Sequence, residues 1–389
     1  MTNDLSAEIN GEEDERLTFE EAISLTTLPV KDAGDDSKDN KIIGRYISRR
    51  RPHVPGEEFM AKAKQMGIEY KAPPLNAYGG VVYAQAGLAA SRGMRALLKN
   101  TAQQNGRERK MGIHTIHGLF TEGGLPDRPF YYEVMNIAEN LAFPNILVKA
   151  RQPLHPSTNP AGDDFPPEDA DLPLGPVCFS ALVSFRPDGT SQVNIQELSV
   201  QSRFASILSS RDPTAWNPVP TADIAGIINA IPNARQMMGN FPGLEMRKVD
   251  MREYNAPRPI YERRELLLYR LLSPLPDSDG TDMSILAHAF VADRNGLLLI
   301  GDHLGFGDDL GRAASLSYSF VVHVNFAEAV MTYGDDQWWV LEASFPRVEA
   351  GRGIYYVKVW SPQGIHVASE YQDGIIRHFP RKGSEKGKL

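Results

Sequence analysis

The 389-residue chain is 42% hydrophobic and 23% charged, enough apolar side chain for a sizeable core and too much for wholesale disorder. Its formal net charge is −8, yet residues 1–40 alone carry twelve acids and three bases, so the remaining body is close to neutral. A near-neutral body lacks the basic patch of a nucleic-acid protein, and a single cysteine, Cys178, excludes an internal disulfide or a multi-cysteine metal site.

Residues 1–40 read as an acidic mobile leader, with a short amphipathic helix around Leu17–Leu28. Acids stand where a secretory signal would be basic and then apolar, and no apolar run approaches ~18 residues, so no membrane span is expected. Arg45, Arg49, Arg50 and Arg51 suit a solvated edge better than a phosphate contact. The run Val81–Ala90 is apolar on nearly every side, which predicts a buried helix rather than a surface one. Strand-like segments follow at Ile113–Phe120, Phe130–Ile137, Ile146–Ala150 and Val177–Phe185, bounded by turn residues such as Gly123-Gly124 and Pro126-Asp127. A Pro- and Asp-rich insertion occupies 153–176, and residues 205–240, with four prolines, read as a linker.

The pattern then recurs. Ala292–Leu299 suits the start of a second buried helix, and Ser315–Phe326, Gln337–Phe345, Gly353–Trp360 and Ile365–Ile376 read as strands. Ser361-Pro362-Gln363-Gly364 carries a type I turn signature and joins the last two as a hairpin. A buried helix followed by an antiparallel meander therefore occurs twice.

The sequence has no Gly-x-Ser-x-Gly elbow, His-Glu-x-x-His pair or phosphate-binding Gly-Lys loop. Gly305-Phe306-Gly307 with Gly311 has the wrong spacing for a dinucleotide fingerprint and reads as a turn. His114 and His117 lie in an alternating segment, where a separation of three places them on opposite faces and makes them poor partners for one metal. Residue patterns alone thus reach an α+β protein of two similar halves.

Several ordered segments resemble the acyl-coenzyme A thioesterase II family, the double-hotdog thioesterases. In the first half these are Tyr78-Gly79-Gly80 with Gln85-Ala86, His114–Phe120, Arg128–Val134 and Val148–Gln152. In the second they are Gly243–Arg247, Asp293, Ala314-Ser315-Leu316, His323, Gly351-Arg352-Gly353 and Val367–Arg377, which is the most specific stretch. The resemblance spans roughly residues 75–380 and leaves the leader without a counterpart.

The resemblance implies two fused hotdog domains, each an antiparallel sheet wrapped around a central helix. It places the first at 41–204, a linker at 205–240, the second, with the catalytic set, at 241–380, and a basic tail at 381–389. It further implies hydrolysis of acyl-CoA to fatty acid and coenzyme A, with neither metal nor cofactor. Asp293, Ser315 and Gln372 would hold and activate the attacking water. Asp293 could accept the proton, while Ser315 and Gln372 offer donors and acceptors to orient the water.

Taken singly, Asp293 could be a helix N-cap, Ser315 a strand serine and Gln372 an inward-facing strand residue with a local partner. Where the family has Asp-His after the Ser/Thr-aliphatic pair, this chain has Ser317-Tyr318, so a non-catalytic acyl- or partner-binding module is an alternative. A hotdog hydratase or dehydratase is another, disfavoured for want of an Asp–His acid–base pair. Acyl-CoA is the expected ligand; acyl-binding residues are not identified, and a homo-oligomer is left open. The terminal Gly387-Lys388-Leu389 approximates a peroxisomal address, so the expected location is peroxisomal or cytoplasmic.

Overall fold

The structure is a computed structural model that describes residues 16–30, 42–67, 76–105, 110–137, 143–160, 162–220, 222–223, 241–306, 310–334 and 336–378. In the first half the strands are β1 (Leu25–Leu28), β2 (Ile42–Ser48), β3 (Gly112–Phe120), β4 (Tyr131–Asn136), β5 (Asn145–Pro153) and β6 (Leu174–Arg186). The second half holds β7 (Asn217–Pro218), β8 (Leu244–Lys248), β9 (Glu265–Leu271), β10 (Leu310–Val322), β11 (Trp339–Glu349), β12 (Arg352–Trp360) and β13 (His366–His378). The helices are α1 (Phe19–Ala22), α2 (Glu57–Gln65), α3 (Gly79–Asn105), α4 (Val200–Arg203), α5 (Ala205–Leu208), α6 (Arg252–Asn255), α7 (Asp282–Ala292) and α8 (Gly296–His303).

All described strands form one antiparallel sheet in the order β1-β2-β4-β5-β6-β3-β10-β13-β12-β11-β9-β8-β7. The two halves meet where β3 pairs with β10, from Leu119 opposite Ser317 to Thr115 opposite Val321. The Val81–Ala90 run lies in α3, whose Val81, Tyr83, Ala84, Ala86, Leu88, Ala89 and Ala90 are all buried against the first half and α7. Each half is thus an antiparallel sheet around a helix, as expected. The sheet halves and the two helices share one apolar core, which contains Val134, Ile146, Phe179, Leu286, Phe290, Tyr318 and Val357 alike.

Several expectations change. The mobile leader does not hold for residues 16–30: Thr18 caps α1 in a reciprocal capping box with Glu21, Phe19 and Ile23 are buried, and β1 pairs with β2. Burial of two large apolar side chains anchors this segment despite its acidic flanks. Residues 1–15 and 31–40 of that leader lie outside the described residues, as do 221 and 224–240 of the linker and the tail with Gly387-Lys388-Leu389.

The boundary at 204 moves back to the end of β6 at Arg186. Val200, Phe204 and Trp216 form a second apolar cluster with Leu266, Leu268, Val340 and Trp360, on the face of the second sheet opposite its helix. Gln196 donates to the Gly364 carbonyl and Gln201 to that of Ser361, which ties this segment to the last hairpin. The start of the linker is therefore a cover for the second half.

The second buried helix starts at Asp282, ten residues before the expected Ala292, and breaks at Asp293–Asn295. By length and apolarity Asp282–His303 would suffice to cross a membrane, contrary to the reading of the apolar runs, but 94% of its most apolar window is buried inside this protein. The four arginines near β2 act locally. Arg51 pairs with Glu57 at 2.7 Å, Arg50 with Asp164 at 3.1 Å, and Arg45 lies over the Tyr131 ring. His114 and His117 stand on β3 with Ser184 and Ser319 as partners.

The continuous sheet carries an expected result. A fragment 241–389 would expose the β10 edge and the face of α7 that packs on α3, so it should aggregate or remain unfolded. A soluble fragment with a cooperative melt, followed by circular dichroism, would contradict this arrangement.

Candidate active site

Asp293 sits in the break between α7 and α8. The turn is shaped by Asn295, whose φ of 58° is left-handed, a conformation that asparagine tolerates better than most residues. Asn295 donates to the Pro220 carbonyl at 2.9 Å, and Arg294 donates to the same oxygen at 3.0 Å with its guanidinium 4.3 Å above the Phe241 ring. These contacts hold the flanking side chains on the side of Pro220. Asp293 turns the other way and is buried. It does not N-cap α8, because Asn295 occupies that position.

Gln372 is fully buried on β13, whereas its neighbour Tyr371 is 45% exposed; the strand's two-residue alternation therefore turns the glutamine inward. Its Nε2 donates to Asp293 Oδ1 at 2.6 Å and to Ser315 Oγ at 2.7 Å, which uses both amide hydrogens. Ser315 lies on β10 three residues before buried Tyr318, where strict alternation would turn it outward. An irregularity between Ser315 and Ser317 in the β10–β13 register puts it on the inner side instead. Asp293, Ser315 and Gln372 thus meet around one amide, although 79 residues separate the first from the last.

The first half contributes a group that the sequence reading did not place in the site. The start of α3 faces the Asp293 carboxylate, where the Gly80 N–H acts to lower that acid's pKa. A side chain on Gly79 would put its Cβ 2.8 Å from Asp293 Oδ2, so the helix start reaches the carboxylate only because no Cβ is there. Unpaired N–H groups and the helix dipole both favour negative charge at that end.

Burial dominates the acid's chemistry. It raises the Asp293 pKa from 3.8 to about 7, with opposition from the Gln372 hydrogen bond, the Gly80 N–H and the charge of Arg294. Glu370, two residues before Gln372 on β13, is pushed well above the ordinary glutamate range by burial and then by the Asp293 charge. Sequence reading passed over Glu370; an acid two places from an inward glutamine in an apolar strand is the signal that would have found it.

The Ser317-Tyr318 departure has a structural outcome. Tyr318 is fully buried, its ring centroid 3.6 Å from that of Tyr83, and its hydroxyl donates to the Ala289 carbonyl at 2.8 Å. Tyr78 does the same for the Phe290 carbonyl at 2.5 Å. Both carbonyls belong to the last turn of α7, where intrahelical partners run out, so the two tyrosines complete that helix end just before Asp293. Among the described residues no cluster of three His, Cys, Asp or Glu side chains could hold a metal ion.

No family model matches the chain, and no curated protein matches it in sequence. Solved structures do share its fold. The chain is similar to the acyl-CoA thioesterase II TesB2 of Mycobacterium marinum, with a TM-score of 0.56 and 19% identity over 94% of this chain and 99% of that one. It is also similar to a tesB protein of Mycobacterium avium subs paratuberculosis, with a TM-score of 0.54 and 16% identity over 92% and 98% of the two chains. The fold is a double hotdog, the architecture of thioesterase II structures.

Proposed function

We propose that this protein hydrolyses acyl-CoA thioesters to a carboxylic acid and free coenzyme A, with a water activated at Asp293. The observation that carries the reading is the single Gln372 amide, which donates at once to Asp293 and Ser315 inside a buried site. The fold shared with the M. marinum acyl-CoA thioesterase II supports a thioester as the substrate class.

The chemistry follows from the groups present. Ionised Asp293 takes a proton from water as the water oxygen bonds to the thioester carbon. Ser315 still has its hydroxyl proton to donate and Gln372 its Oε1 to accept, so together they fix the water's orientation. The carbonyl electrons move to oxygen, then return as the C–S bond breaks. Protonated Asp293 gives its proton to the departing thiolate. Acid, coenzyme A and the starting carboxylate result, and no covalent enzyme intermediate is needed.

A second reading has one observation in its favour. Glu370 beside Asp293 supplies a buried acid and base, the pair that hydration of an enoyl thioester requires. A free-thiol assay over acyl-CoAs of increasing chain length separates the two. Thiol release is expected. Interconversion of 2-enoyl- and 3-hydroxyacyl-CoA without thiol would establish the hydratase instead, and binding with neither reaction would leave a non-catalytic acyl-binding protein.

A further inference from the structure

A cavity that water activation does not use lies on the Pro220 side of the α7–α8 break. Its volume is about 440 Å³, a size typical of small-molecule sites. It opens between the segment 211–220 with Asp223 on one side and Lys248–Arg252 with α6 on the other. Arg263, Glu265 and His303 complete its lining. Asp293, Ser315 and Gln372 take no part in that lining, so the cavity is separate from the catalytic set.

The acids of the lining are already matched. Asp223 pairs with Lys248, Asp250 with Arg252 at 2.6 Å, and Glu265 with His303 at 3.0 Å and Lys248 at 3.8 Å. Two arginines differ. Arg263 gives two of its five N–H groups to the carbonyls of Arg258 and His303, at 2.9 and 3.1 Å, and has no ion pair among the described residues. Arg211 is exposed and lies 4.9 Å above the Trp216 ring; it acts on Asp250 only from beyond ion-pair distance. The unused capacity of the cavity is therefore cationic, in planar donors that suit phosphate oxygens. Trp216, Pro218, Val249 and Met251 add apolar surface for an organic body. A hydrocarbon would leave the arginines unmatched, and a cation would be repelled.

The cavity also touches the support of the catalytic turn. The Pro220 carbonyl accepts from Arg294 at 3.0 Å and Asn295 at 2.9 Å, and the Asp223 N–H donates to Asn295 Oδ1 at 3.3 Å. Asn295 is the left-handed residue of the break that presents Asp293. A ligand packed on Pro220 and Asp223 thus bears on a turn two residues from the acid.

We propose that this cavity is a second binding site, for an organic diphosphate held by Arg211 and Arg263, and that its occupation alters turnover through Pro220 and Asp223. The effect on turnover rests on the hydrolytic reading of Asp293, whereas binding does not.

The probe is ADP, with adenosine as the uncharged control, followed by calorimetry on the full chain. ADP should bind, and adenosine should bind at least ~10-fold more weakly. Arg211→Glu, an exposed change away from the catalytic set, should weaken ADP about 10-fold or more and leave the rate without ADP unchanged. Arg263→Gln should weaken it likewise. Turnover is then measured on an acyl N-acetylcysteamine thioester, which carries no nucleotide. Saturating ADP should change its kcat about 5-fold or more, and not in Arg211→Glu. Absence of ADP binding, equal binding of adenosine, or undiminished binding by both variants would overturn the site. If ADP only competes with acyl-CoA and leaves the nucleotide-free thioester untouched, the separate site is wrong, because the ADP portion of the substrate itself then accounts for binding. If no thioester is hydrolysed at all, the hydrolytic reading fails, and the calorimetry alone sustains or ends the diphosphate site.

Discussion

Asp293→Asn should lose ~10²–10⁴-fold in turnover on the best acyl-CoA, because asparagine keeps the shape of the side chain but cannot take a proton from water. A carboxylate that only capped a helix would tolerate the change, since asparagine caps as well as aspartate. The unmutated chain should show kcat/KM falling as pH drops through about 7, the value to which burial raises Asp293. Gln372→Ala removes a hydrogen bond that lowers that pKa, so its acid limb should move to higher pH as well as losing rate. Ser315→Ala should cost less than Asp293→Asn, and the three changes should be far from additive, because groups that hold one water act as a unit.

Stability should move the other way. The folded chain binds the Asp293 proton more tightly than the unfolded one, so protonation favours folding. That contribution is complete below the unfolded value of 3.8 and is lost as pH rises through about 7. Asp293→Asn, neutral throughout, should therefore melt at a higher temperature than the unmutated chain above pH ~7 and little differently below pH ~4. Near-normal turnover in Asp293→Asn, or an acid limb at the ordinary carboxylate range, would exclude Asp293 as the base.

Deletion of residues 1–30 should prevent folding, although composition alone marks the N-terminal segment as dispensable. Phe19 is 1% exposed, and its ring meets Phe290 of α7 edge-on at 5.3 Å. The Gly243 N–H donates to the Leu17 carbonyl at 2.8 Å, and a Cβ on Gly243, whose φ is 72°, would lie 2.5 Å from the Phe19 backbone. Meanwhile β1 lies along β2 at the far edge of the first half. The segment thus ties the outer strand of one repeat to the helix of the other. Phe19→Ala alone should cost about 3–5 kcal/mol by denaturant titration, the usual range for emptying a buried phenylalanine site. Unchanged stability in that variant would mean that the contact is superficial.

The elements that were legible in the sequence are those with clean periodicity. Strands β3, β6, β12 and β13 alternate along most of their length, and Val81–Ala90 is apolar all round, so both periods were readable. Strand β8 was missed because Leu244–Lys248 is short and buries Glu245, which is neutralised by Arg247 on the same strand and by Arg270, which no local pattern links to it. Strand β2 was hidden by Arg45 within it and by Arg49, Arg50 and Arg51 just after its end. The start of α7 was set too late because the polar stretch Asp293–Gly296 separates two apolar runs, and the expected helix was placed on the second of them while α7 is built from the first.

The site was legible only through the family resemblance. Nothing local in Asp293, Ser315 or Gln372 announces that one amide will bridge the other two. The strand irregularity that turns Ser315 inward depends on its pairing with β13, a tertiary fact. Glu370 lay within a strand that was read correctly, yet its lack of partners exists only in three dimensions.

The approach of α3 to Asp293 makes the two halves depend on each other at a single contact. The acid lies in the second repeat, but the requirement that residue 79 have no side chain is written in the first, where any Cβ would lie 2.8 Å from Asp293 Oδ2. A chimaera that took its first half from another double-hotdog chain would keep this carboxylate in place only if the incoming half brought a glycine to that position. The halves follow one pattern, yet at this contact a side chain added to the first would displace an acid of the second.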